Sequence, residues 1–167
     1  MGIELVTGTS CALAAKVRNY EIEAAFVAQP FPADGLAAID AFKEELTLIS
    51  PLAWGAITSA RDLGDRTVIA FAAGCSYRRI LESWLNHEGL APGRVMEFAS
   101  YHAIVACVAA GSGVAIVPRS VLAVLGAEHS VCVSALSGPY AHAQTQLVWR
   151  ADDDTPALQA LRQQLVA

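Results

Sequence analysis

Charge is scarce in this 167-residue chain. Only 16% of its residues are Asp, Glu, Lys or Arg, and acids outnumber bases 16 to 11, for a net charge of −5. That balance, with no lysine-rich tail and no basic patch interleaved with aromatics, excludes a chain that grips DNA or RNA by itself. Arg78 and Arg79 are adjacent bases, read here as a solvated helix face. Long apolar runs are lacking too. The longest, 103-AIVACVAAGSGVAIVP-118, is interrupted by Gly111 and Gly113 and closed by Pro118, so no membrane-spanning segment is expected. No C-x-x-C occurs. The four cysteines, Cys11, Cys75, Cys107 and Cys132, are far apart, and no His/Cys spacing suggests zinc. The opening MGIELVTGTS has neither a basic segment nor a cleavage-type apolar stretch. A cytoplasmic chain with reduced thiols is therefore expected. Gly111-Ser112-Gly113 follows a helical pattern and precedes a strand, the reverse of what a dinucleotide loop needs. No cofactor is expected.

What is present is apolar: 54% of residues are hydrophobic. This excludes a disordered chain and allows one core of ordinary size or two small lobes. Strand-like runs are 3-IELV-6, 24-AAFVA-28, 45-ELTLIS-50, Val68–Phe71, 94-RVMEF-98, 114-VAIV-117, 131-VCVSA-135 and 145-TQLVWR-150. Helical spacing follows Ser10, with Leu13, Val17 and Tyr20 on one side, and returns over Ser76–His87, Tyr101–Ala110, Val121–Leu125 and residues 155–167. Ser59, Ser100 and Thr155 are placed to cap, and Gly89 and Gly111 to stop. Strands alternating with helices predict α/β architecture with mostly parallel sheets covered on both faces.

One junction recurs. IELV leads to Ser10, VIAF to Ser76 and RVMEF to Ser100, each bringing a hydroxyl and free backbone N–H groups to a helix start. At the carboxyl ends of strands such groups suit a small anion. Each serine has a plain alternative, capping its own helix. Cys75 at a helix start is either a thiol of lowered pKa, with His102 a conceivable base, or a packed, pocket-lining side chain. Tyr101 and His102 can line the same pocket.

Taken together, 74-GCSYRRILESWLNHEGLAPGRVMEFASYHAIVACVAAGSGVAIVPRSVL-122 resembles the second lobe of the effector-binding domain of LysR-type transcriptional regulators. Its marks are a turn with an aromatic, a glycine and an arginine after an apolar strand, 71-FAAGCSYR-78, and a helix ending in G-x-G-V-A-I-V-P. IELVTGTSCALAAKVRNYEIEAAFVAQP resembles the first lobe, and TQLVWR with TPALQALRQQL its C-terminal end. The resemblance implies two Rossmann-like lobes of the type II periplasmic-binding-protein kind, with a small, anionic effector in the cleft between them. Residues 1–64 and 141–167 would form the first lobe and 65–140 the second, with crossings near Leu63–Thr67 and Ser137–Ala143. Carried across by motif, the ligand-binding candidates are Thr9 and Ser10 from the first lobe, with Gly74, Cys75, Ser76, Tyr77, Ser100, Tyr101 and His102 from the second. No catalytic residue and no metal ligand are expected. The family's helix-turn-helix is absent from the sequence, so DNA would be reached only through the parent protein. The family's first strand and its turn are also absent ahead of IELV. A homodimer or higher oligomer, with an irregular or neighbour-completed first lobe, is therefore expected. A solute-binding protein of the same fold and a Cys75-based thiol sensor or enzyme are the alternatives.

Overall fold

Residues 36–50 form one continuous strand, and its burial pattern explains the architecture. In the computed structural model, which describes residues 3–166, β1 spans Ala24–Ala28 and β2 Leu36–Ser50. The first part of β2 pairs antiparallel with β7 (His142–Arg150), which in turn pairs antiparallel with β1. Here β2 has a partner on one side, and Ala37 to Phe42 alternate between half-buried and exposed. Past a register shift between Asp40 and Phe42, the strand enters a second sheet. There it lies between β5 (Ala115–Pro118) and β6 (Cys132–Ala135), and Leu46 to Ser50 are all buried. A strand flanked on both edges and covered on both faces has no exposed side to alternate toward.

The second sheet continues through β3 (Val68–Ala70) and β4 (Val95–Glu97), which pair in parallel. Val68 also bridges Val114 in parallel, with Val114 N–H donating to Thr67 O at 3.0 Å and Ile69 N–H to Val114 O at 2.7 Å. Helices α2 (Ser76–His87), α3 (Tyr101–Ala109) and α4 (Arg119–Leu125) cover this sheet. Helices α1 (Ser10–Arg18) and α5 (Pro156–Val166) cover the first. Neighbouring residues of β5 face opposite clusters: Ile116 packs with Leu46, Leu48, Ile80 and Leu81, while Ala115 and Val117 pack with Ile49, Ile104 and Val108. Each such Leu or Ile stabilises the fold by about 1.5–3 kcal/mol. Arg150, at the end of β7, donates to Val17 O at 2.6 Å and Ile22 O at 3.0 Å, pairs with Asp153 and stacks over Tyr20, fastening the end of α1 to the sheet.

The observed fold departs from the sequence reading in four places. The sheets are not mostly parallel: the pairs β1–β7, β2–β7, β2–β5 and β2–β6 are antiparallel. The connecting strands β2 and β7 run through the sheets against their neighbours. Residues 3–6 form no strand; Ile3 and Leu5 are 83% and 85% exposed. Extended backbone is stabilised by a hydrogen-bonded neighbour, and among the described residues none lies alongside. The first passage between sheets is made by β2 at Glu45 and Leu46, upstream of Leu63–Thr67. Ile57, Ala60 and Leu63 share a cluster with Val68, Ile80 and Leu81. The return passes Ala141, whose carbonyl accepts from Leu46 N–H at 2.8 Å. Finally, the charged, Ala-rich stretch 37–44 carries no strand signal in sequence yet is strand. The last helix is described through Val166; Ala167 lies outside the described residues, as do Met1 and Gly2. No helix among the described residues is long and apolar enough to cross a membrane.

Candidate functional site

Three helix starts meet at the junction of the two sheets. At α1 the cap is Thr9, whose Oγ1 accepts from Ala12 N–H at 3.3 Å; Ser10 is the first helical residue rather than the cap. At α3 the cap is Ser100, accepting from Ala103 N–H at 3.3 Å, as its position predicts. At α2 the cap position belongs to Cys75, whose side chain makes no capping hydrogen bond.

Ser76 does something else. It is buried, and its hydroxyl donates to Ala28 O, with Pro30 O at 3.1 Å. Both carbonyls belong to the end of β1 and the loop after it. Ser76 is thus a bond between the lobes instead of a cap, because a hydroxyl at the first helical position points sideways off the helix start. Arg79 reaches Pro30 O at 3.4 Å, and the Tyr77 hydroxyl donates to Glu44 on β2. Gly74 makes close approach possible. Its φ is +92°, and a β-carbon there would stand 3.1 Å from Thr9 Oγ1 and 3.3 Å from Cys11 Cβ. Cys11 N–H donates to Gly74 O at 3.3 Å.

Aromatic rings line the same region. Tyr101 meets Phe71 edge-on at 4.8 Å between centroids and lies 6.4 Å from the ring of Tyr77. Burial pushes both phenols above their ordinary range; the charge of Tyr101 and the hydrogen bond to Glu44 add to the effect on Tyr77, and the Cys75 and Glu44 charges to that on Tyr101. Both hydroxyls therefore remain donors at neutral pH.

Burial also pushes the Cys75 thiol up. The amides of Arg78 and Tyr77 and the Arg78 charge pull the other way and lose. The lowered pKa considered from its helix-start position is therefore corrected: desolvation outweighs the helix terminus. His102 is exposed. Arg78 is no solvated base either. Its side chain is 16% exposed, paired with Glu82 and Glu97 at 2.8 Å each, and it donates to Phe71 O at 3.3 Å, locking the turn before α2.

The structure thus brings Thr9, Ser10, Gly74, Cys75, Ser76, Tyr77 and Tyr101 to one junction, with Ser100 and His102 at the start of α3. Sequence reasoning missed Glu44, Pro30 and the carbonyl of Ala28. Nothing local marks them, since each lies at least 33 positions from its partner. A hollow of about 300 Å³ opens beside this junction, lined by Gln29, Pro30, Lys43, Ile80, Pro139, His142, Ala143 and Gln144. A larger one, about 710 Å³, lies on the first lobe between the sheet and α5, over Ala37, Ile39 and Trp149. None of the helix-start residues lines it; it belongs to the cluster under α5 rather than the one under α1, and Arg162 already stacks on Trp149 at 4.5 Å beside it.

The family described as LysR substrate binding domain matches residues 1–167. The chain is 35% identical over 159 residues to the HTH-type transcriptional regulator GltR of Bacillus subtilis (strain 168), covering 95% of this chain and 54% of that protein. It is 33% identical over 150 residues to the HTH-type transcriptional regulator SoxR of Arthrobacter sp. (strain TE1826), covering 90% and 51%. The chain thus spans about half the length of the curated relatives it matches. Among solved structures, the effector binding domain of QuiR in complex with shikimate superposes with a TM-score of 0.76 at 20% identity, over 93% of this chain and 76% of that one. The reduced regulatory domain of OxyR2 from Vibrio vulnificus gives 0.73 at 19%, over 93% and 75%. At such identities the likeness shows the fold alone: the two-lobed architecture of these regulatory domains.

Proposed function

From the premise that this chain belongs to the LysR substrate-binding domain family, we propose that it is a non-enzymatic sensing domain for a small carboxylate-bearing effector. The effector is held where Thr9 and Ser10 of the first lobe face Gly74–Tyr77 and Ser100–His102 of the second. One observation supports this most: a few polar contacts, from Ser76 to Ala28 and Pro30, Arg79 to Pro30 and Tyr77 to Glu44, hold the lobes together at this place. A ligand that competes for these donors and acceptors favours a different lobe angle. Only such a difference in affinity between arrangements shifts their equilibrium. The signal passes to DNA through segments of a longer regulator, as a homodimer or higher oligomer in the cytoplasm.

The test is calorimetry with shikimate, benzoate and glutamate on the wild type and on Thr9→Ala, Ser100→Ala and Lys43→Ala variants. The expected result is binding of at least one of the three, weakened threefold or more by Thr9→Ala and Ser100→Ala. Binding indifferent to both, and abolished by Lys43→Ala, would move the ligand to the 300 Å³ hollow. No binding by any of the three would count against a carboxylate sensor.

A further inference from the structure

Two cysteines from different lobes meet at the junction. Cys11 lies in the first turn of α1, which packs on the first sheet; Cys75 precedes α2, which packs on the second. Both are half-buried free thiols. The hydrogen bond from Cys11 N to Gly74 O is 3.3 Å long. The Cys11 Cα is about 1.5 Å from its nitrogen, and the Cys75 Cα about 2.8 Å from that oxygen across a trans peptide. The two Cα atoms are therefore at most about 7.6 Å apart, and closer for any bend in that path. Disulfides span about 4.4–6.8 Å. The β-carbon of Cys11 lies 3.3 Å from the place a β-carbon on Gly74 would occupy, so the Cys11 side chain points at the 74–75 turn rather than away from it.

We propose that Cys11 and Cys75 form a reversible disulfide that ties the two lobes together at the cleft, driven by exchange with a low-molecular-weight disulfide of the glutathione type. Cys11 gives its proton to water and its sulfur attacks one sulfur of the small disulfide. A mixed disulfide forms on Cys11 and one small thiolate leaves. Cys75 then loses its proton and attacks the Cys11 sulfur, forming the Cys11–Cys75 bond and expelling the second small thiolate. The two cysteines lose two electrons together, and the small disulfide is reduced to two thiols. Burial keeps Cys75 protonated, which suits it to the second, intramolecular step. There, proximity compensates for a small thiolate fraction. Gly74 is the residue that admits the pair: a side chain there would wedge between Thr9 and Cys11.

The bond would have consequences for sensing. The contacts holding the lobes at this point are hydrogen bonds that a ligand can displace; a covalent link between α1 and the start of α2 cannot be displaced. That consequence rests on the effector reading above, whereas the disulfide itself does not.

The test uses the full chain incubated with oxidised glutathione, quenched with acid, alkylated and digested with trypsin without reduction. The expected result is a loss of 2 Da from the intact mass and a cross-linked peptide pair containing Cys11 and Cys75. Dithiothreitol restores the mass. A Cys107→Ser, Cys132→Ser double variant should lose both remaining thiols to Ellman's reagent under the same treatment, without forming a disulfide-linked dimer. Separate glutathione adducts on Cys11 and Cys75, a cross-link between other cysteines, or two thiols still titrating in the folded double variant would each overturn the proposal. The effector reading is independent of this outcome, since calorimetry on the reduced protein tests it separately.

Discussion

Replacing Gly113 with alanine offers the sharpest test of how the second sheet is assembled. Gly113 precedes the point where β5 joins β3. A β-carbon there would stand 2.3 Å from Thr67 O, 3.0 Å from Thr67 C and 3.1 Å from Ile69 Cγ1. The nearest atom is backbone, so no side-chain rotation relieves the clash; the segments must separate. Two hydrogen bonds are at stake, Val114 N–H to Thr67 O and Ile69 N–H to Val114 O. Each contributes about 1 kcal/mol net, and more when a buried partner is left unsatisfied. Forcing a methyl into a packed core adds about 1–3 kcal/mol. The total, about 3–5 kcal/mol, is a large part of the roughly 5–15 kcal/mol that stabilises a typical domain. It lowers Tm by about 6–20 °C at roughly 2–4 °C per kcal/mol for a chain of this size. The companion is Gly93→Ala, where no atom lies within 4 Å of the added carbon. That change should stay within about 1 kcal/mol of wild type. Thermal unfolding followed by circular dichroism gives both values. A Gly113→Ala variant melting within about 1 °C of Gly93→Ala would refute the close approach of β3 and β5.

Arg150→Met removes the donor that satisfies the carbonyls of Val17 and Ile22 and leaves Asp153 without its partner. A loss of about 2–4 kcal/mol is expected in urea titrations, and an unchanged midpoint would show that the end of α1 needs no such fastening. Ser59→Ala breaks a capping box in which Ser59 Oγ accepts from Arg61 N–H at 3.2 Å and Asp62 accepts from Ser59 N–H at 2.9 Å. The cost should be about 1 kcal/mol, read as a shift in the same midpoint. The phenols of Tyr77 and Tyr101 have raised folded-state pKa values, so their contribution is complete below the ordinary phenol value near 10.0 and is lost as pH climbs past it. Absorbance at 295 nm should show two of the four tyrosines un-ionised until the fold opens; Tyr77→Phe should remove one from that late step. The Asp62 carboxyl, held below its usual range first by the Ser59 and Thr58 amides, contributes stability above the ordinary value of 3.8 that is lost as pH falls. Asp62→Asn should make acid unfolding less steep, and an identical acid limb would contradict that role.

Much of the local structure is legible from the chain alone. Helix α2 begins at Ser76 and ends at His87 where its apolar stripe and Gly89 put it, and Ser100 caps α3, because capping and periodicity act within a few residues. The candidate site is less legible. Ser76 belongs there, yet its hydroxyl reaches across to Ala28 and Pro30; Glu44, which holds Tyr77, sits in a stretch whose charge conceals a strand.

By itself the sequence determined most of the helices, the ends of α2 and the two-lobed family fold, since these follow from short-range spacing and from the order of motifs. Tertiary structure alone decided the antiparallel course of β2 and β7, the passage between sheets at Glu45 and Leu46, the lack of a strand partner for residues 3–6 among the described residues and the meeting of Cys11 with Cys75. Each of those depends on which distant segment lies alongside. Backbone pairing, burial of a thiol and contact between lobes are properties of neighbours, and neighbours are fixed only when the whole chain has packed.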